Sequence, residues 1–103
     1  MKDKLLEIIN HYGIDKQLKY IHSEYFELDE AIMDYQYSGF DFDYEDYEEL
    51  EKKYSTHIAE ELADVMVMLK QFQYYYGISD NKIEKIMNEK IDRQLERIKN
   101  ESK

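Results

Sequence analysis

Apolar positions recur along this chain at alternating steps of three and four, the period of a helix buried along one face. Leu5, Ile8, Ile9 and Tyr12 share such a face and predict a short helix over residues 2–12. Gly13 follows as a break, and Asp15 is placed to cap the next helix. There Leu18, Ile21, Tyr25, Leu28, Ile32 and Tyr35 hold the same period for more than four turns. A third series, Ile58, Leu62, Val65, Leu69, Phe72 and Tyr76, begins near Thr56, which can cap. Gly77 stands where a helix C-terminus favours glycine. Ser79 or Asp80 then caps a last helix to about residue 100, with Ile83, Met87, Ile91, Leu95 and Ile98 as its apolar face.

Residues 38–56 break the pattern. Gly39 opens the segment, and seven acids fall between positions 41 and 51. Phe40, Phe42, Tyr44 and Tyr47 interleave with them. The first part alternates aromatic and acidic residues and reads as a loop; from Glu45 a short helix is expected. No repeat and no linker divides the chain, so the expected architecture is one all-α domain over residues 1–103. It is a compact bundle of four to five helices.

Composition agrees with that class. With 103 residues, no proline and three glycines, the chain favours helices over a turn-rich sandwich. No cysteine is present, which excludes a disulfide framework, a thiolate metal site and a cysteine nucleophile. A net charge of −10 argues against direct nucleic-acid binding, which needs positive surface. No apolar run has the length of a membrane span. Met1 to Lys4 leads into an amphipathic stretch rather than a signal peptide, so a cytoplasmic location is expected.

Acids three residues apart are candidates for a metal site, but eight such pairs occur, so the spacing alone carries little. Geometry separates two of them. At roughly 100° per residue, Glu24 lies roughly 70° from the centre of its apolar stripe and Glu27 roughly 130°. Glu61 and Asp64 lie roughly 60° and 120° from theirs, in the same sense. If the two helices pack antiparallel, equal offsets fall on one side of the interface and all four acids converge. If they run parallel, the pairs separate.

Four converging carboxylates repel one another and need a cation. Oxygen ligands suit magnesium, with manganese as a substitute, rather than zinc or copper. A di-iron bundle would want Glu-x-x-His, and none of His11, His22 or His57 has a glutamate three positions before it. On the last helix Lys90, Arg93 and Arg97 form a basic stripe. It serves either the helix dipole and neighbouring acids, or the phosphates of a substrate.

The residues then resemble a known family. Glu24-x-x-Glu27 and Glu61-x-x-Asp64, followed by a basic closing helix, resemble the MazG-like all-α nucleoside triphosphate pyrophosphohydrolases. Residues 24–32 read EYFELDEAI, close to that family's ExxEL helix; residues 57–69 read HIAEELADVMVML, very like its EELxDV helix. Residues 87–98, MNEKIDRQLERI, resemble its last helix, and the likeness covers roughly residues 15–100. Two departures stand out: Ser23 sits where many members carry a further glutamate, and the gap between Glu27 and Glu61 is long.

The resemblance implies hydrolysis of a nucleoside triphosphate, a deoxynucleotide or non-standard one, to the monophosphate and pyrophosphate. It implies magnesium on Glu24, Glu27, Glu61 and Asp64, triphosphate contacts from Lys90, Arg93 and Arg97, and a homodimer or homotetramer. One of the four acids, or Glu60, would act as base. Tyr20, Phe40, Phe42 and Tyr44 are stacking candidates for a nucleobase, with packing as their ordinary alternative. Tyr74, Tyr75 and Tyr76 read as helix-end packing residues. Two other readings compete: an acidic interaction protein, such as a nucleic-acid mimic, and a structural bundle whose acids are surface residues.

Overall fold

The computed structural model describes residues 1–37 and 44–101, with the side chains of 44–46 not described. Among the described residues there are four helices: α1 (Lys2–Tyr12), α2 (Ile14–Tyr37), α3 (Tyr44–Tyr75) and α4 (Asp80–Glu101). The fold is the all-α, four-helix bundle expected from the periodicity. Gly39, Phe40 and Phe42 lie outside the described residues, as does the start of the acidic segment.

Glycine closes α1 and opens α2 at one position. Gly13 adopts φ +92°, donates its N–H to the carbonyl of Ile9 at 2.8 Å, and accepts from the N–H of Gln17 at 3.1 Å. The expected cap at Asp15 is therefore corrected: Asp15 sits inside the first turn of α2, where its charge suits the helix dipole.

α3 corrects the second expectation. A short helix from Glu45 and a separate start at Thr56 are replaced by one helix of 32 residues running through Thr56. Neither glycine nor proline occurs between Tyr44 and Tyr75, the Glu- and Lys-rich run favours helix, and Glu51 accepts from the Tyr35 hydroxyl of α2 at 3.2 Å. The helix ends in a Schellman motif. Gly77, at φ +69°, donates to the carbonyl of Tyr74 at 3.0 Å, and Ile78 donates to that of Gln73 at 3.0 Å.

Ser79, one of the two expected caps, fills that role for α4: its Oγ accepts the N–H of Lys82 at 3.1 Å. Asp80 has a different task. Its carboxylate accepts from Lys70 Nζ, Gln73 Nε2 and the Tyr74 hydroxyl, each at 2.8 Å, and so ties the start of α4 to the end of α3. These partners hold the Asp80 carboxyl well below the usual carboxylate range, Lys70 foremost.

α2 and α3 pack antiparallel. Tyr35 meets Glu51, Glu24 meets Glu61 and Asp64, and Gln17 meets Gln71, so rising numbers on one helix face falling numbers on the other. α1 packs on both, with Lys2 Nζ 5.8 Å from the Tyr74 ring centre. Beyond the Asp80 contacts at its start, α4 packs on none of these helices among the described residues, and it buries no residue. The radius of gyration, 18.1 Å, accordingly exceeds the roughly 13 Å of a compact chain this long.

The buried face of the helix pair is rotated from the predicted stripes. On α2 it consists of Gln17, Glu24, Leu28 and Ala31, while Leu18, Tyr25 and Ile32 are exposed. On α3 Val65, Met68 and Gln71 are buried, while Leu62 and Leu69 are exposed. The apolar arc of each helix is wider than one neighbour can cover. Among the described residues, the half of it nearer the acids is the buried one.

Candidate metal centre

That rotation places the acids deeper than their stripe offsets suggest. Glu24 stands on the buried face itself, 6% exposed. One carboxylate oxygen each from Glu24, Glu61 and Asp64 lies within 4.8 Å of the others, a spacing one cation could bridge. Glu61 is half-buried and Asp64 exposed, so the cluster runs from the helix interface to solvent.

The electrostatics are unbalanced. The Oε2 atoms of Glu24 and Glu61 are both buried with no hydrogen-bond partner. Such atoms are rare, because each forfeits its hydration without compensation. Burial first, then the charges of Glu27 and Asp64, push the Glu61 carboxyl above its usual range; His57 pulls it slightly down. The Glu24 carboxylate beside the Tyr20 hydroxyl is the main cause that pushes the tyrosine above its usual range.

Glu27, the fourth predicted acid, lies near enough to Glu61 for its charge to raise that carboxyl, but offers no atom within the group of three. Glu60 lines a separate groove with Lys52, Lys53 and His57. Lys90, Arg93 and Arg97 are exposed on α4, which packs on neither acid-bearing helix, so one chain does not bring them to the cluster. Of the stacking candidates, Tyr20 lines the cavity beside the cluster, Phe40 and Phe42 lie outside the described residues, and of Tyr44 only the backbone, at the start of α3, is described. Tyr74 is buried and committed to Asp80, whereas Tyr75 and Tyr76 are exposed and meet edge to face.

A cavity of about 440 Å³ opens beside the acids. Glu24 and Asp64 form one part of its wall, and Ile8, Tyr12, Lys16, Tyr20, Val67 and the buried pair Gln17 and Gln71 form much of the rest. The sequence reading missed Lys16, Gln17 and Gln71. A signal was present: Gln17 precedes Glu24 by seven residues, and Gln71 follows Asp64 by seven, so each shares a helix face with its acid.

No protein-family model, curated protein or solved structure matches this chain. Among the described residues, no helix is long and apolar enough to cross a membrane.

Proposed function

We propose that this protein is a magnesium-dependent nucleoside triphosphate pyrophosphohydrolase of the MazG-like class. The observation that carries the reading is Glu24, a buried carboxylate with an unpartnered oxygen, gathered with Glu61 and Asp64 at the wall of a cavity. A surface charge network has no reason to bury an oxygen without a partner. A divalent cation gives both orphaned oxygens one, and an all-carboxylate donor set suits magnesium or manganese.

In this reading Glu24, Glu61 and Asp64 hold the ion, which supplies Lewis acidity at the phosphate oxygens. The Tyr20 hydroxyl, beside Glu24, would orient that carboxylate. Glu27, beside the cluster but outside the group of three, is the acid placed to take the proton from the attacking water. The water oxygen bonds to phosphorus, the bond to pyrophosphate breaks, and the nucleoside monophosphate remains. Lys16, on the cavity wall, would meet part of the substrate's negative charge.

The proposal extends to assembly as a homodimer or homotetramer and to a cytoplasmic setting. Its support is the exposed apolar surface: Leu62, Met66 and Leu69 on α3, and Met87, Ile91 and Leu95 on α4. In such an assembly the α4 of one copy could carry Lys90, Arg93 and Arg97 to the cluster of another.

The test is pyrophosphate release from a panel of ribo- and deoxynucleoside triphosphates, with magnesium and with a chelator. Magnesium-dependent release with a preferred base is expected. No release from any nucleotide would overturn the reading.

A further inference from the structure

The cavity beside the acids carries a polar pair that the metal chemistry does not use. Gln17 Nε2 donates to Gln71 Oε1 at 2.9 Å across the α2–α3 interface, and both side chains are buried, at 5% and 2% exposure. Their remaining contacts are poor. Gln71 Nε2 reaches Met68 Sδ at 3.7 Å, and Gln17 Nε2 reaches the same sulfur at 4.0 Å. Thioether sulfur is a weak acceptor, so these amide protons are barely satisfied. A buried amide pair held this loosely costs stability that an apolar pair of the same shape would not.

We infer that Gln17 and Gln71 form a nucleobase-reading site, completed by the edge of a base lying in this cavity. Three features point to that ligand class. Both amides line the cavity, and each amide carries a donor and an acceptor, the groups found next to one another on the edge of a planar heterocycle. The surrounding wall is apolar and aromatic, from Ile8, Tyr12, Tyr20 and Val67, and suits the faces of a flat ring. The spacing also fits. Gln17 and Glu24 are two helical turns apart on one face, about 10 Å along the axis, as are Gln71 and Asp64. That is the scale of a nucleoside from base edge to 5′-phosphate, so a base on the amides sets the phosphates at the acids. The assignment rests on the proposed hydrolase reading, but it is read out separately from turnover.

The experiment follows the side-chain NH₂ resonances of Gln17 and Gln71 in the ¹⁵N-labelled full chain. It is titrated with magnesium and each common nucleoside monophosphate, and with ribose 5-phosphate as the baseless control. At least one monophosphate should move both amides, and ribose 5-phosphate should move neither. Movement with every ligand alike, or with none, overturns the assignment. Gln71→Leu and Gln17→Leu then test selectivity. The ratio of kcat/KM between the best and the poorest base should collapse by about 10²-fold, since a site built around hydrogen bonds discriminates through them. An unchanged ratio in a folded variant overturns the inference and leaves the hydrolase reading intact. Selective amide shifts without any turnover sink the hydrolase reading and leave the base site standing.

Discussion

Glu24 on α2 and Glu61 on α3 face each other across an antiparallel helix pair, and the Oε2 atom of each is buried with no hydrogen-bond partner. The fold holds this arrangement at a cost. In chelator, Glu24→Gln should therefore raise stability, by about 1 kcal/mol, or roughly 4–8 °C in melting temperature for a domain of this size. Magnesium should stabilise the wild type and not the variant, because binding to the folded state alone adds about 2.7 kcal/mol at a hundredfold excess over Kd. Thermal melts at matched ionic strength check both halves. A wild-type melting temperature indifferent to magnesium and manganese would remove the metal site.

Turnover should be far more sensitive than folding. Glu61→Ala and Asp64→Ala are expected to lower kcat by about 10²–10³-fold or more, the scale of losing one preorganised charge contact in a reaction centre. Far-ultraviolet circular dichroism should be unchanged, since both residues lie within the long α3 and neither caps it. Full activity in either variant would end the site assignment.

Thr56 separates the continuous helix from the interrupted one. An N-cap threonine replaced by alanine costs about 1 kcal/mol. An exposed threonine inside a helix gains roughly 0.5 kcal/mol from the same change, through propensity alone. The structure puts Thr56 twelve residues past the start of α3, exposed. Thr56→Ala should therefore be neutral or stabilising in urea denaturation.

The same residue shows where the sequence was legible. Periodicity located α1, α2 and α4 closely, because glycine or a capping serine marks their ends. It split α3 because a threonine beside a new apolar series looks like a start, whether or not the preceding acidic run is helical. Glu24, Glu61 and Asp64 were legible from their offsets, given antiparallel packing. Their depth was not, because the sequence cannot say which half of a wide apolar arc the chain itself covers. Leu18, Tyr25 and Leu69 weigh as much in a pattern as Leu28 and Val65, yet only the latter two are buried. Gln17 and Gln71 were missed for a related reason: a polar residue on a buried face interrupts an apolar pattern.

Two carboxyls displaced in opposite directions set the pH response. Glu61 titrates above its ordinary 4.5 in the folded chain, so between that value and its raised one the folded state binds more protons than the unfolded. Metal-free stability should fall as pH rises through this window. Asp80 behaves conversely: its contribution is present above its ordinary 3.8 and is lost as pH falls below that value. Melts in chelator across pH 3 to 8 should show both limbs. Glu61→Gln should flatten the upper limb, and Asp80→Asn the lower. A Glu61→Gln profile that still declines with rising pH would assign that limb to other groups.

The last expectation concerns α4. Among the described residues no other helix covers its apolar face: Met87, Ile91 and Leu95 are all more than half exposed. Ile91→Lys should leave the stability of a single chain within about 0.5 kcal/mol of wild type, as surface changes do. In an assembly that buries α4, the same change places a charge in an apolar contact and should weaken association at least tenfold, about 1.4 kcal/mol. Sedimentation velocity over a concentration series separates the cases. The wild type is expected as a dimer or tetramer that Ile91→Lys shifts toward monomer. A wild type that sediments as a monomer throughout would remove the assembly, and with it any part for Lys90, Arg93 and Arg97 carried in by a second copy.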